Sequence, residues 1–223
     1  MKFNVVTKEG SRQEEMVLKN LLVVGFAGKD IEKTMEHIHE LEEAGIKCPR
    51  KVPVLYQCEK QILTEKDEIE VIGNKTSGEV EYLILIKNDK IYIGVGSDHT
   101  DRELEAVSIH KSKQVCLKPY AKDFWEYDEI KDHFDEIKLV SSQVVDGKTV
   151  EYQCGVTSDL LPMQRIIEEL KTEVDVNDSL IYTGTVPLLD GFKYGEQFSC
   201  KLVDEKLGRE ICLSYKVKVI EEH

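Results

Sequence analysis

One stretch of this chain constrains its fold more than any other. Gly78-Glu-Val-Glu-Tyr-Leu-Ile-Leu-Ile-Lys87 is followed by Asn88-Asp89 and then by Lys90-Ile-Tyr-Ile-Gly-Val-Gly-Ser-Asp98. β-Branched and aromatic residues dominate both runs, and Asn-Asp supplies the left-handed backbone of a two-residue turn, so the pattern predicts a β-hairpin. Such a turn sets Lys87 opposite Lys90 and, counting outward, Glu79 opposite Asp98. Side chains alternate along a strand, which puts Glu79, Glu81, Leu83 and Leu85 on one face and Tyr82, Ile84 and Ile86 on the other. Both faces are apolar beyond Glu81, so the strand must be covered on both sides, which excludes a sheet with one wet face.

That register gathers three carboxylates, Glu79, Glu81 and Asp98, at the end of a buried hairpin. Like charges across a strand pair repel, and burial makes the repulsion worse. Either one group takes up a proton or a cation sits among them. Three oxygen donors without thiolate or imidazole at ligand spacing favour a hard ion, Mg²⁺ or Mn²⁺, with Ca²⁺ as the alternative, over zinc.

The remainder of the chain reads as a strand-rich fold with a few helices. Lys19 to Gly28 is a short apolar run closed by glycines, a buried strand. The spacing of Ile31, Thr34, Met35, Ile38 and Leu41 predicts a helix from Asp30, its N-cap, to about Ala44, with Gly45 as the stop. Strands are expected at Val54 to Tyr56, Glu68 to Ile72, Ser179 to Thr183, Glu196 to Val203 and Arg209 to Ile220, and a hairpin turns at Asp146-Gly147. Helical spacing recurs from Leu160 to Leu170. Phe124 to Lys138 is charged and aromatic, and Asp123-Phe-Trp-Glu-Tyr-Asp-Glu129 at its start reads as a solvated helix carrying a few core aromatics rather than a segment packed over a site or an oligomer interface. With 223 residues, 41% of them hydrophobic, the chain is long enough for one sizeable core, so residues 1–223 are expected to form a single domain. Residues 1–57 form a strand-helix segment with a lid, and residues 58–223 the metal-binding core. A net charge of −13 makes nucleic acid an unfavoured partner. No apolar run is long enough to span a bilayer, and the opening residues lack the apolar core of a signal peptide, so a cytoplasmic protein without membrane contact is expected. The six cysteines stand at least nine apart, outside zinc-ribbon or dithiol spacing.

At Asp98-His-Thr-Asp-Arg-Glu-Leu-Glu105 the sequence resembles the fumarylacetoacetase C-terminal-domain-like superfamily, whose members carry Asp-x-Ser-x-Arg-Asp-Leu-Gln after an acidic Glu-x-Glu strand. A second block, Asp178-Ser-Leu-Ile-Tyr-Thr-Gly-Thr185, is similar to that superfamily's Gly-Asp-x-Ile-x-Thr-Gly-Thr segment. The resemblance covers about residues 20 to 220. It implies an α+β fold dominated by strands, a mixed β-roll or β-sandwich with a few flanking helices. It also implies a divalent ion on Glu79, Glu81 and Asp98, and a small 2-oxo or diketo acid as substrate. Arg102, Glu105 and Thr185 match substrate-contacting positions. A lysine downstream of the aspartate ligand is Lys113 or Lys111, with Lys113 preferred. A homodimer is the assembly that the resemblance suggests. Two departures stand out: Ser97 replaces the usual Asn, and Glu105 the usual Gln, which adds a negative charge near the substrate.

An ion chelated by three carboxylates keeps open positions and acts as a Lewis acid toward an enolate or oxyanion. The base is expected from His37-Ile-His39-Glu40-Leu-Glu42, which holds two His-x-x-Glu pairs on the first helix. His39 with Glu42 borders the apolar stripe and is preferred over His37 with Glu40. Together these readings point to a metal-dependent hydrolase of carbon–carbon bonds. A hydratase, dehydratase or decarboxylase on the same substrates, or a silent metal- and metabolite-binding protein, are the alternatives.

Overall fold

The computed structural model describes residues 1–43, 49, 51–221 and 223, with the side chains of residues 37 and 40–42 left outside the description. Gly45, expected to stop the first helix, lies outside the described residues. The hairpin at its centre follows the register that the sequence predicts. Strands Val80–Lys87 and Lys90–Ser97 pair antiparallel from Lys87 opposite Lys90 to Val80 opposite Ser97. Asn88 and Asp89 take the left-handed backbone that the two-residue turn requires, at φ of 50° and 60°.

These strands sit in the middle of an eight-stranded mixed sheet. Its order is Gly10–Glu15, Lys2–Thr7, Asp123–Glu126, Lys90–Ser97, Val80–Lys87, Ser179–Thr185, Asn20–Gly25 and Val54–Cys58. A five-stranded sheet packs on one face, in the order Lys148–Val156, Lys138–Val145, Gln197–Asp204, Arg209–Ile220 and Glu68–Ile72. Tyr82, Ile84, Ile93 and Val95 of the first sheet meet Leu139, Phe198, Leu202 and Tyr215 of the second in one core. On the opposite face Leu83, Leu85, Tyr92 and Tyr182 join Phe3, Val5, Leu21 and Phe124 in a second core. Every residue from Val80 to Ile86 is buried, as a strand sandwiched between two apolar layers must be.

Aromatic rings account for the two strand glycines. A Cβ on Gly94 would lie 2.5 Å from the Phe124 ring, and one on Gly96 would lie 2.8 Å from Tyr182. Side chains crossing these positions leave no room for anything larger than hydrogen.

The segment around Phe124 corrects the sequence reading. Asp123–Glu126 is a strand, parallel to Lys2–Thr7, and only Tyr127–Ile130 and Lys131–Glu136 are helical turns. Phe124 and Trp125 are buried on opposite faces of the large sheet. The chain's first fifteen residues form a hairpin that supplies this strand's partner, so pairing with a distant segment overrides local helical composition. Strands from residues 1–57 and from the remainder share the large sheet, which makes the N-terminal segment part of the same core. The first helix spans Ile31–Glu43, and its N-cap is Asp30, whose Oδ1 accepts from the Lys33 amide at 3.0 Å. No helix among the described residues is long and apolar enough to cross a membrane.

Candidate metal and substrate site

The hairpin delivers the acidic cluster directly. Past Ser97 the Asp98 amide still bonds the Glu79 carbonyl at 3.0 Å, extending the ladder by one step. One carboxylate oxygen each from Glu79, Glu81 and Asp98 lies within 4.8 Å of the others. Glu81 and Asp98 are buried and Glu79 is partly so. The strand Ser179–Thr185 crosses beside them with an irregularity between Tyr182 and Thr185. Gly184 sits there at φ +95°, and its amide donates to Glu81 Oε2 at 2.9 Å. A glycine suits that turn because the left-handed backbone disfavours side chains.

After Asp98 the chain folds back on the cluster. Thr100–Asp101 pairs with Thr76–Ser77, and Asp101 caps the short helix Arg102–Glu105 by accepting from the Leu104 amide at 2.9 Å. The next helix, Ile109–Val115, carries Lys113 inward, while Lys111 stays exposed. Lys113 donates to Asp98 Oδ2. Lys118, completely buried, lies 3.1 Å from Asp98 Oδ1 and donates to the His99 carbonyl at 2.6 Å. Thr100 Oγ1 adds a third donor to Asp98 at 3.2 Å.

The electrostatics separate the three acids. Burial alone would push Asp98 up, but the two ammonium groups outweigh it and hold the carboxyl below its ordinary range. Glu81 goes well above the usual value, first through burial and then through the charge of Asp98. Glu79 is also pushed up by burial, against the pull of Arg102. His99 bonds Tyr215 at 2.9 Å through Nδ1 and Thr76 at 2.9 Å through Nε2. Burial, with help from Lys118, lowers its pKa to about 3, so the imidazole is a neutral structural link.

Do these residues fit a divalent ion? Octahedral Mg²⁺, with bonds of about 2.1 Å, spaces neighbouring oxygens about 3 Å apart and opposite ones about 4 Å apart, while Ca²⁺ at about 2.4 Å spans about 5 Å. A carboxylate cluster 4.8 Å across therefore needs at most a small closure to grip either ion. Glu81, destabilised as an anion by burial and by Asp98, is a group whose charge an ion would relieve. The donor set fits.

The cluster forms part of the wall of a cavity of about 1120 Å³. Glu79, Glu81, Arg102, Glu105, Lys113 and Thr185 all reach it, and Asp98 joins them through the carboxylate cluster and Lys113 without lining the cavity itself, so of the expected site residues only the pair on the first helix is not brought in. His39 is exposed and lies outside the cavity wall; Glu42, His37 and Glu40 have side chains outside the described residues. Thr185 Oγ1 donates to the Val80 carbonyl at 2.7 Å and accepts from Gln153 at 2.7 Å. Gln153 also accepts from the Val80 amide at 2.9 Å, tying the glutamate strand to the second sheet.

Lys118, Gly184, Gln153 and Phe192 were not found by sequence reasoning. For Lys118 a signal existed: a lone cation in the otherwise uncharged run Cys116-Leu-Lys-Pro-Tyr-Ala121 must find a partner if the run is buried. Gln153 and Phe192 come from distant segments and carry no such mark.

The family model described as a protein of unknown function (DUF2848) matches residues 24–215. No curated protein matches the chain. Among solved structures, Cg1458 is similar at a TM-score of 0.68 and 14% identity, over 98% of this chain and 99% of that one. Yeast ynq8, a fumarylacetoacetate hydrolase family protein, is similar at 0.66 and 16%, over 91% and 94%. A 2-keto-3-deoxy-D-arabinonate dehydratase complexed with magnesium and 2,5-dioxopentanoate is similar at 0.67 and 18%, over 97% and 79%. The fold is that of the fumarylacetoacetate hydrolase family, as the two sequence blocks implied.

Proposed function

This chain belongs to the DUF2848 family of proteins of unknown function, and from the site it carries we propose a divalent-metal-dependent enzyme that hydrolyses a carbon–carbon bond in a small 2-oxo or diketo acid. The observation that carries the reading is the convergence of Glu79, Glu81 and Asp98 within 4.8 Å, with Glu79 and Glu81 on the wall of a large cavity and Asp98 beneath them. A Mg²⁺ or Mn²⁺ ion held there supplies Lewis acidity toward the carboxylate and 2-oxo group of a substrate.

The residues of the chain itself have separate tasks. Lys113, fixed on Asp98 and facing the cavity, places a positive charge beside the carbons where negative charge develops. Lys118 holds the other oxygen of Asp98 from behind. Arg102 sits 3.4 Å from Glu79 and keeps that carboxylate in place. Hydrolysis adds the hydroxyl of water to the departing acyl carbon and breaks the bond to the neighbouring carbon. The released electron pair leaves as an enolate that takes up a proton. His39, expected from the sequence to act with Glu42, is the proposed base for that water, on a helix whose Lys33 and Thr34 line the cavity.

A dehydratase is the second reading, and one observation favours it: no histidine is among the described residues of the cavity wall. Loss of water from a 3-deoxy-2-oxo acid needs no activated water, and a dehydratase shares this fold. Calorimetric titration of the full chain with Mn²⁺, then assay of the loaded protein on acylpyruvates by loss of enol absorbance and on 3-deoxy-2-oxo acids by formation of new carbonyl, decides between them. The hydrolase reading expects pyruvate and a carboxylic acid in equal amounts, with turnover lost in His39→Ala. Mn²⁺ binding without turnover on either panel would leave a silent binding protein, and absence of Mn²⁺ binding would sink the metal site itself.

A further inference from the structure

Resting on the oxo-acid reading above, the geometry points to a substrate with a single carboxylate, at the metal end, and an uncharged apolar group at the other. Arg102 is the buried cation of the cavity wall placed to receive a second carboxylate, and four of its five N–H groups already face acceptors. Its Nε donates to Ser77 Oγ at 2.8 Å, Nη1 to Glu105 at 2.8 Å, and Nη2 to the Ser77 carbonyl at 3.2 Å with Glu79 at 3.4 Å. The guanidinium face is covered as well: the Phe192 ring centroid is 4.7 Å from Cζ. A guanidinium paired with two carboxylates and capped by a ring keeps one N–H to spare but no uncompensated charge for an anion. Glu105 is decisive, because a neutral residue there would leave the charge of Arg102 offset by Glu79 alone.

The rest of the cavity is built to the same end. Phe26, Ile109, Leu188, Leu189 and Phe192 line it, and Leu189 and Phe192 are about half exposed in the absence of anything covering them, at 53% and 49%. The first helix, Ile31–Glu43, starts at the cavity with its N-terminus capped by the Asp30 carboxylate and so does not invite an anion. Charges at the rim balance, Lys29 and Lys33 against Asp30 and Asp159. A cavity of about 1120 Å³ is also far larger than a three- to six-carbon dicarboxylate needs, and its apolar lining gains from each added methylene.

The test measures binding of pyruvate, 2-oxohexanoate, phenylpyruvate and 2-oxoadipate to the full chain by calorimetry, with and without Mn²⁺. Pyruvate reports the headgroup alone, and 2-oxohexanoate and 2-oxoadipate share a six-carbon chain but differ in the charge at the far end. We expect 2-oxohexanoate and phenylpyruvate to bind at least tenfold tighter than 2-oxoadipate. Glu105→Gln narrows the gap between 2-oxohexanoate and 2-oxoadipate by about tenfold, since it removes one of the two negative charges that offset Arg102. Phe192→Ala narrows the gap between 2-oxohexanoate and pyruvate severalfold, and this exposed position keeps the test alive if Glu105→Gln fails to fold. Equal or tighter binding of 2-oxoadipate to the unmodified chain overturns the inference. Should Mn²⁺ not bind, the metal reading falls, while the same ligand ratios taken without metal still decide the question of the distal group.

Discussion

Replacing Lys118 by methionine isolates the charge that sequence reading did not find. Lys118 is fully buried, 3.1 Å from Asp98 Oδ1, and donates to the His99 carbonyl at 2.6 Å. Coulomb attraction at that distance is worth about 5 kcal/mol at an effective dielectric constant of 20. Some of this returns when the ammonium no longer has to be desolvated, and Lys113 continues to neutralise Asp98. The net loss should fall at the low end of the range for a broken buried pair, about 3 kcal/mol. For a chain of this size that corresponds to a fall in Tm of about 6 to 12 °C in the metal-free protein. Methionine nearly matches the lysine stem in volume, so the change reads charge more than packing. Added Mn²⁺ should then raise Tm more in Lys118→Met than in the unmodified chain, because a cation competing for Asp98 has gone. A hundredfold excess over Kd is worth about 3 kcal/mol, enough to return most of the loss. Differential scanning fluorimetry with EDTA and with Mn²⁺ reads both effects. A Tm within 2 °C of the parent without metal, or a Mn²⁺ response no larger than the parent's, would refute the assignment of Lys118 as the buried counter-charge of Asp98.

Glu81→Gln should leave metal-free stability equal or higher, because it deletes a carboxylate that burial and Asp98 already disfavour, yet it should abolish stabilisation by Mn²⁺; a loss of several degrees without metal would contradict this. Gly94→Ala pushes a methyl group to 2.5 Å from the Phe124 ring, so a destabilisation of about 1 to 3 kcal/mol is expected in chemical denaturation, and an unchanged midpoint would argue against that packing. Among the described cysteines, Cys154 and Cys212 are exposed whereas Cys58, Cys116 and Cys200 are buried. A disulfide reagent at pH 8 should therefore modify the first two before unfolding and the other three only after it. Burial pushes the Cys116 thiol up to about 11, so raising the pH to 9 should not expose it as a thiolate. Rapid modification of Cys116 in the native protein would show that its surroundings are open.

Much of this molecule was legible in one dimension because its most informative features are local. The Asn88-Asp89 turn and the alternation on either side fix the hairpin register, and the register alone brings Glu79 opposite Asp98. The Asp30 cap, the Asp146-Gly147 turn and the long C-terminal strands follow from the same short-range physics. Long-range pairing decided the remainder. Asp123–Glu126 is a strand because Lys2–Thr7 and Lys90–Ser97 lie beside it. Lys118 is a counter-charge because the short strand Lys118–Pro119, paired with Leu63–Thr64, holds it under the cluster. Gly184 touches Glu81 only through an irregularity between two strands far apart in the chain. The sequence by itself determined that three acids would share one end of a buried hairpin, since side-chain alternation and a two-residue turn leave no other register. Only the tertiary structure decided what neutralises each of them. The answer depends on which distant cation is brought within about 3 Å, and Coulomb energy in a low dielectric depends on distances that no local pattern encodes.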